Sequence, residues 1–281
     1  MEAAKCRALW AIAALALAVG LGLHPEAQIP VGLPDAAVIT SLPAPEAIRG
    51  LTFANRRLWS IDARKDVLLE IDAANGTVLS AQAIDVKRAR GLAWDGHSFW
   101  CGNDDGRLIQ VDAKSGRVLK SYDRRPFSGA INVADVPFTL QGLAWDGKSL
   151  WAAYDGLNAQ RAPVFGQPDE GYNLVRVDVS DGHDAVNASV QQIPLGLASD
   201  GKSLWMATYD AGRGRALLVR WTIPDRYSTV NAPSRVMGRT GLAIARLPGK
   251  EPAGLAWDGS ALWYADRQQK QFMKLALPAE R

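Results

Sequence analysis

"GLAWDGKSLW", residues 142–151, decides the fold because the chain writes it five times. Gly91 opens "GLAWDGHSFW", Gly196 opens "GLASDGKSLW" and Gly254 opens "GLAWDGSALW". Gly50 opens a worn copy, "GLTFANRRLW". The openings are separated by 41, 51, 54 and 58 residues. Self-similarity at such periods marks propellers, solenoids or arrays.

The secondary structure written into each copy chooses among these. "GLAW" is a short apolar run stopped by the turn pair Asp-Gly. "SLWAAY" or "SFWCGN" follows, again short and rich in aromatics. Then "RLIQVD", "NLVRVD" or "VLLEID" alternates apolar and polar residues. A tight turn such as Asp-Ala-Lys-Ser-Gly leads into "RVLKSY" or "TVLSAQ". That is four short strands joined by turns, and no helical spacing appears after residue 25. Four-stranded units at this period predict an all-β, five-bladed β-propeller over 28–281. The chain ends on "FMKLALPAER", a third strand without its fourth. The segment near 36–42 supplies the missing strand and closes the ring, which removes an exposed sheet edge.

The recurring aromatics and turns have structural readings. Trp59, Trp100, Trp151, Trp205 and Trp263 recur once per blade, at the register of packing between sheets. Trp94, Trp145 and Trp257 recur in three blades. The Asp-Gly pairs, Asp95-Gly96 and Asp146-Gly147 among them, read as turn formers rather than metal ligands. Cys101 falls where the other copies carry Ser60, Ala152, Met206 and Tyr264, and reads as a buried, inert thiol.

Composition is that of a globular protein, with 48% hydrophobic and 22% charged residues. The 32 basic and 29 acidic residues leave a net charge of +3, with no basic stripe of the kind nucleic acid requires. Residues 1–27 carry Lys5 and Arg7 ahead of the apolar run "ALWAIAALALAVGLGL", 8–23. This is the pattern of an export signal, either cleaved or kept as an N-terminal membrane anchor. The propeller is therefore expected in the periplasm or outside the cell. Cys6 lies inside that segment, so Cys101 is the mature chain's thiol and no internal disulfide forms. His24, His97 and His183 are too scattered for a histidine metal site, and no nucleophile elbow or phosphate-cradling loop is written. No cofactor is identified.

Function is sought where the copies differ. Loops entering the first strand and leaving the second emerge on one face of the ring. The residues before the opening glycines are Arg49, Arg90, Gln141, Leu195 and Ala253, and they ring the mouth of the central channel. The second strands deliver Asp62, Asn103, Asp104, Tyr154, Asp155, Tyr209, Asp210 and Asp266 to the same face. Two long insertions, 123–139 and 155–173, land there too, whereas 222–240 lies on the opposite face. Arg49, Asp62, Arg90, Asn103, Asp104, Gln141, Tyr154, Tyr209, Asp210 and Asp266 are thus the candidate ligand contacts.

"FTLQGLAWDGKSLWAAYDGL" followed by "YNLVRVDVSDG" resembles the glutamine cyclotransferase family, the five-bladed glutaminyl cyclases of plants and bacteria. Phe138, Thr139, Gln141, Gly142 and Leu143 carry the likeness, with Leu140 inserted, over about 45 residues of the third blade. The resemblance implies an acyltransferase that closes N-terminal glutamine to pyroglutamate. The family's acidic residue after Leu-Phe falls at Ala152, which cannot transfer a proton, although the cyclisation needs acid–base help. Asp155 is then the candidate proton carrier, with Asp104 or Glu170 as substitutes. Two readings follow: an exported, non-catalytic propeller binding a small ligand, peptide or protein on its channel face, or a divergent glutaminyl-peptide cyclotransferase.

Overall fold

The repeat folds into five four-stranded antiparallel sheets in the computed structural model. It describes residues 32–123, 139–155, 172–182, 184–190, 193–223 and 241–277, without the side chains of 155, 172, 173, 184–190 and 193. The expected leader at 1–27 and the bulk of all three insertions lie outside the described residues.

Each blade runs outward from the axis in chain order. The first holds β2 (Ile48–Ala54), β3 (Arg57–Asp62), β4 (Val67–Ile71) and β5 (Val78–Ala83). The second holds β6 (Ala89–Trp94), β7 (Ser98–Asn103), β8 (Leu108–Asp112) and β9 (Val118–Tyr122). The third holds β10 (Thr139–Trp145), β11 (Leu150–Asp155), β12 (Tyr172–Val177) and β13 (Asp184–Val190). The fourth holds β14 (Ile193–Ser199), β15 (Ser203–Asp210), β16 (Arg215–Thr222) and β17 (Leu242–Arg246). The fifth holds β18 (Pro252–Trp257), β19 (Leu262–Asp266) and β20 (Gln271–Ala276).

The strand expected near 36–42 completes the fifth blade. Strand β1 (Ala37–Pro43) lies antiparallel to β20, with Leu42 opposite Phe272. The chain just before it also touches the fourth blade. Asp35 bridges Arg246, and its carboxylate accepts a 2.7 Å ion-paired hydrogen bond from the Arg246 Nε. At the other end, Glu46 receives Arg64 of the first blade at 3.2 Å and Lys270 of the fifth. One N-terminal segment thus links three blades.

The opening glycine of each copy marks where neighbouring innermost strands meet. A methyl added at Gly50 would lie 2.7 Å from the Gly91 carbonyl carbon, and one at Gly196 would lie 2.8 Å from that of Gly254. At Gly254 it would lie 2.6 Å from the Leu51 amide nitrogen, which closes the circle. Gly142 approaches Leu197 and Gly196 at 3.1–3.3 Å, and Gly91 approaches Leu140 and Leu143. Real Cβ atoms essentially never come within 3.0 Å of backbone, so only glycine fits at Gly50, Gly196 and Gly254, while a methyl at Gly91 would strike the Leu140 side chain and one at Gly142 would be tightly crowded. Every innermost strand also breaks register at this level, as between Arg49 and Leu51 or Pro252 and Gly254. Such bulges re-aim the residues beside them. In the first blade the Gly50 carbonyl is taken up by the buried Ser60 hydroxyl at 2.7 Å.

Apolar cores fill the wedges between adjacent blades. Between the first two, Ile61 and Leu68 meet Leu92, Phe99 and Cys101. Burial pushes the Cys101 thiol up to about 12, so it carries no thiolate at neutral pH. Trp100, Trp151, Trp205 and Trp263 are at most 3% exposed, and the weaker copy Trp59 is half-buried against Phe99 at 4.9 Å.

These tryptophans also explain the Asp of the repeat. In four blades one carboxylate oxygen takes the turn's amides and the other takes the indole five residues on. Asp95, Asp146, Asp200 and Asp258 accept from Trp100, Trp151, Trp205 and Trp263 at 2.8–2.9 Å. The worn first copy has no Asp, and its Trp59 indole donates to the Ala54 carbonyl at 3.3 Å.

Asp258 adds the Lys274 ammonium at 2.7 Å. Burial alone would raise its pKa. The hydrogen bonds from Lys274, Ser260 and Ala261 outweigh burial and hold the carboxyl well below the usual range. A depressed folded value stabilises the fold above the unfolded carboxyl value, and that stability fades as pH falls toward the folded one. Asp258→Asn is therefore expected to lower stability at neutral pH, with the deficit shrinking in urea titrations run progressively below about pH 4. A pH-independent deficit would contradict this assignment.

The glycine ring gives a second test. Gly254→Ala places its methyl against backbone that cannot move without shifting two blades, and should cost about 3 kcal/mol or more. Gly259→Ala meets open space and strains only its φ of 95°, so about 1–2 kcal/mol is expected. Equal losses in denaturant titration would rule out close packing at the ring.

Candidate functional site

The bulges place five residues at one end of the innermost strands, each just before a ring glycine. Pairing carries the ends of the second strands to the same level: Ile48 faces Asp62, Ala89 faces Asn103, and Thr139 faces Asp155. Ile193 faces Tyr209 and Pro252 faces Asp266 in the same way. The face geometry read from strand alternation is the one the strands adopt.

Within that set, four sequence-predicted residues come together. The Arg90 Nε donates to Asp104 Oδ1 at very short range, and its Nη1 donates to Gln141 Oε1 at 3.4 Å. Arg49 approaches the same Asp104 oxygen at 4.0 Å, and Arg88 approaches the other oxygen at 3.8 Å. One carboxylate thus serves guanidiniums from two blades, and the Gln141 amide extends the group to a third. Arg49, Arg90, Asp104 and Gln141 are all half-buried. Desolvation, then the like charge of Arg90, lowers the Arg49 pKa; Asp104 opposes this, and Arg267 adds to it. Arg267 directly follows Asp266 on the fifth blade and was not singled out from the sequence. Its closeness to Arg49 arises only when the ring closes.

The other candidates hold the scaffold. The Asp62 Oδ1 accepts the amides of Arg64 and Lys65 and caps its hairpin. The Asn103 amide oxygen does the same for Asp105 and Arg107. Asp210, 9% exposed, holds the Arg213 amide and guanidinium. Asp266 is fully buried and accepts from Tyr264, Glu251 and Gln269 at 2.8–3.0 Å. That buried carboxylate, after burial itself, raises the Tyr264 phenol pKa strongly. Tyr154, 4% exposed, packs in the wedge with Leu140 and Leu143. Tyr209 is half-buried beside Gly214.

The proposed chemistry of the third blade centres on Ala152. It is fully buried, opposite Leu143 on one side and Val175 on the other. A carboxylate here would be surrounded by hydrocarbon. The Asp155 backbone ends β11, but its side chain, like Phe138 and Glu170, lies outside the described residues.

No family model matches the chain, and no curated protein matches it. Solved structures do. The glutaminyl cyclase of Myxococcus xanthus matches 86% of this chain and 95% of its own, at 11% identity and a TM-score of 0.56. The Cps50 (Swd1) β-propeller domain of Myceliophteria thermophila matches 86% of this chain and 100% of its own, at 12% identity and a TM-score of 0.47. At these identities the shared property is the propeller fold, which does not by itself transfer an activity.

The ion group at the axis end yields a stability prediction. Asp104→Asn removes the one anion shared by Arg49, Arg88 and Arg90, and should cost about 1–2 kcal/mol. Added salt should narrow the difference, because it screens the remaining repulsion. A variant as stable as wild type in low-salt denaturant titrations would show the carboxylate to be dispensable.

Proposed function

We propose that this protein is an exported, non-catalytic β-propeller that binds a small molecule, peptide or protein partner at the axial end bearing Arg49, Arg90 and Gln141. The carrying observation is the half-buried arrangement of those side chains around Asp104. Guanidinium and amide groups supply directed hydrogen bonds and fixed charge, but neither exchanges protons at neutral pH. They suit recognition. Export rests on Lys5, Arg7 and the apolar run 8–23.

The competing reading is a divergent glutaminyl-peptide cyclotransferase. It draws on the Gln141-Gly142-Leu143 motif and on the fold likeness to the Myxococcus xanthus enzyme. Ala152 weighs against it. The position matched to the family's acid is a methyl group packed in the wedge, and a glutamine amine attacking its own amide needs a proton carrier at hand.

Ammonia release from peptides beginning with glutamine separates the two. The purified protein should release none above the uncatalysed rate. Sustained turnover would overturn the binding reading, and loss of that turnover in Asp155→Asn would then identify the proton carrier.

A further inference from the structure

The residues before the five ring glycines differ by sector. The first three blades contribute Arg49, Arg90 and Gln141; the fourth and fifth contribute Leu195 and Ala253. Ala253 is buried in the core between the fifth and first blades with Ile48 and Leu51, and Arg267 of the fifth blade adds its charge near Arg49, so the half-buried Leu195 is the apolar member of the five that is left at the axial end.

The cationic side has more donors than acceptors. Among the described residues, Arg49 donates no side-chain hydrogen bond, and its carboxylate neighbour stays 4.0 Å away. Arg90 already holds that carboxylate. The Arg267 Nε is buried without a hydrogen-bond partner, and the Glu251 carboxylate lies 3.9 Å from it. The buried Arg267 donor without an acceptor is destabilising, and the like charges of Arg49, Arg90 and Arg267 brought together add to that. A built scaffold keeps such an arrangement where a ligand completes it, trading stability for function.

The missing acceptor is an anion with coplanar oxygens. A guanidinium offers parallel N–H donors spaced for a carboxylate. We propose that the axial end binds an organic carboxylate, its head on Arg49 beside Arg90 and its apolar body against Leu195. This deepens the binding reading above and rests on it. The short alkyl body follows from Leu195, whose side chain offers neither charge nor a hydrogen bond to a second polar group.

Isothermal titration with hexanoate, hexanamide, hexylamine and inorganic phosphate tests the assignment on the full protein. Hexanoate should bind, and its neutral and cationic counterparts should not. Raising ionic strength should weaken it. Arg49→Gln should weaken hexanoate about tenfold, the scale of one charge-assisted hydrogen bond. Because Arg49 holds no hydrogen bond of its own, the unliganded variant should melt no lower than wild type. N-acetylleucine beside hexanoate separates the sources: tighter N-acetylleucine binding indicates a peptide terminus, and tighter hexanoate a free acid.

Unchanged hexanoate binding by Arg49→Gln, equal binding of hexanamide, phosphate binding tighter than hexanoate, or no binding of any carboxylate would each overturn the proposal. Should Arg49→Gln fold poorly, the salt dependence and the hexanamide comparison on wild type still decide. A neutral or cationic ligand that Arg49→Gln does not weaken would defeat the carboxylate assignment while leaving the binding reading standing. Ammonia release from glutamine peptides would defeat the binding reading itself.

Discussion

Five glycines in mutual contact hold the geometry together. Each innermost strand lies against the next at a point where a methyl group would overlap or tightly crowd a neighbour. The ring is as tight as backbone allows, and the last contact, Gly254 against Leu51 and Gly50, joins the end of the repeat to its beginning. Interiors are close-packed and do not deform continuously, so five such contacts set the angle between blades. The bulges at this level follow, and with them the aim of Arg49, Arg90 and Gln141.

In four blades the hairpin of the first two strands is locked by a different device. One Asp oxygen closes the hairpin through backbone amides, and the other holds the indole of the next strand. The indole is thereby fixed within its wedge with its N–H satisfied, as a buried Trp requires. Rigid blades around a tight ring leave variation to the strand ends and loops.

That division accounts for the character of the axial end. Asp62, Asn103, Asp210 and Asp266 spend their oxygens on local turns and neighbouring amides. Arg49 and Arg90 spend little on the scaffold beyond one shared carboxylate. Ala152 of the third blade is a methyl within a hydrocarbon wedge.

Much of the architecture was legible in the residues alone. The five copies, the four strands in each, and the N-terminal strand that completes the fifth blade are all periodic or local signals. Turn chemistry and alternation act over a few residues, and strand alternation also fixes which ends share a face. The Asp–Trp hydrogen bond was legible too, since both residues recur five apart in four copies, but the Asp read as a turn former alone. What required the tertiary structure was every relation between blades. Only the packing of one blade on the next shows why the opening residue is glycine, because the atom a methyl would meet belongs to a strand some 40 to 200 residues away. Only closure brings Arg267 of the last blade beside Arg49 of the first, and only the packing of the second blade on the first sets Asp104 between their guanidiniums. Charge and packing act through space, and a linear pattern does not record distances between residues that meet only when the circle is complete.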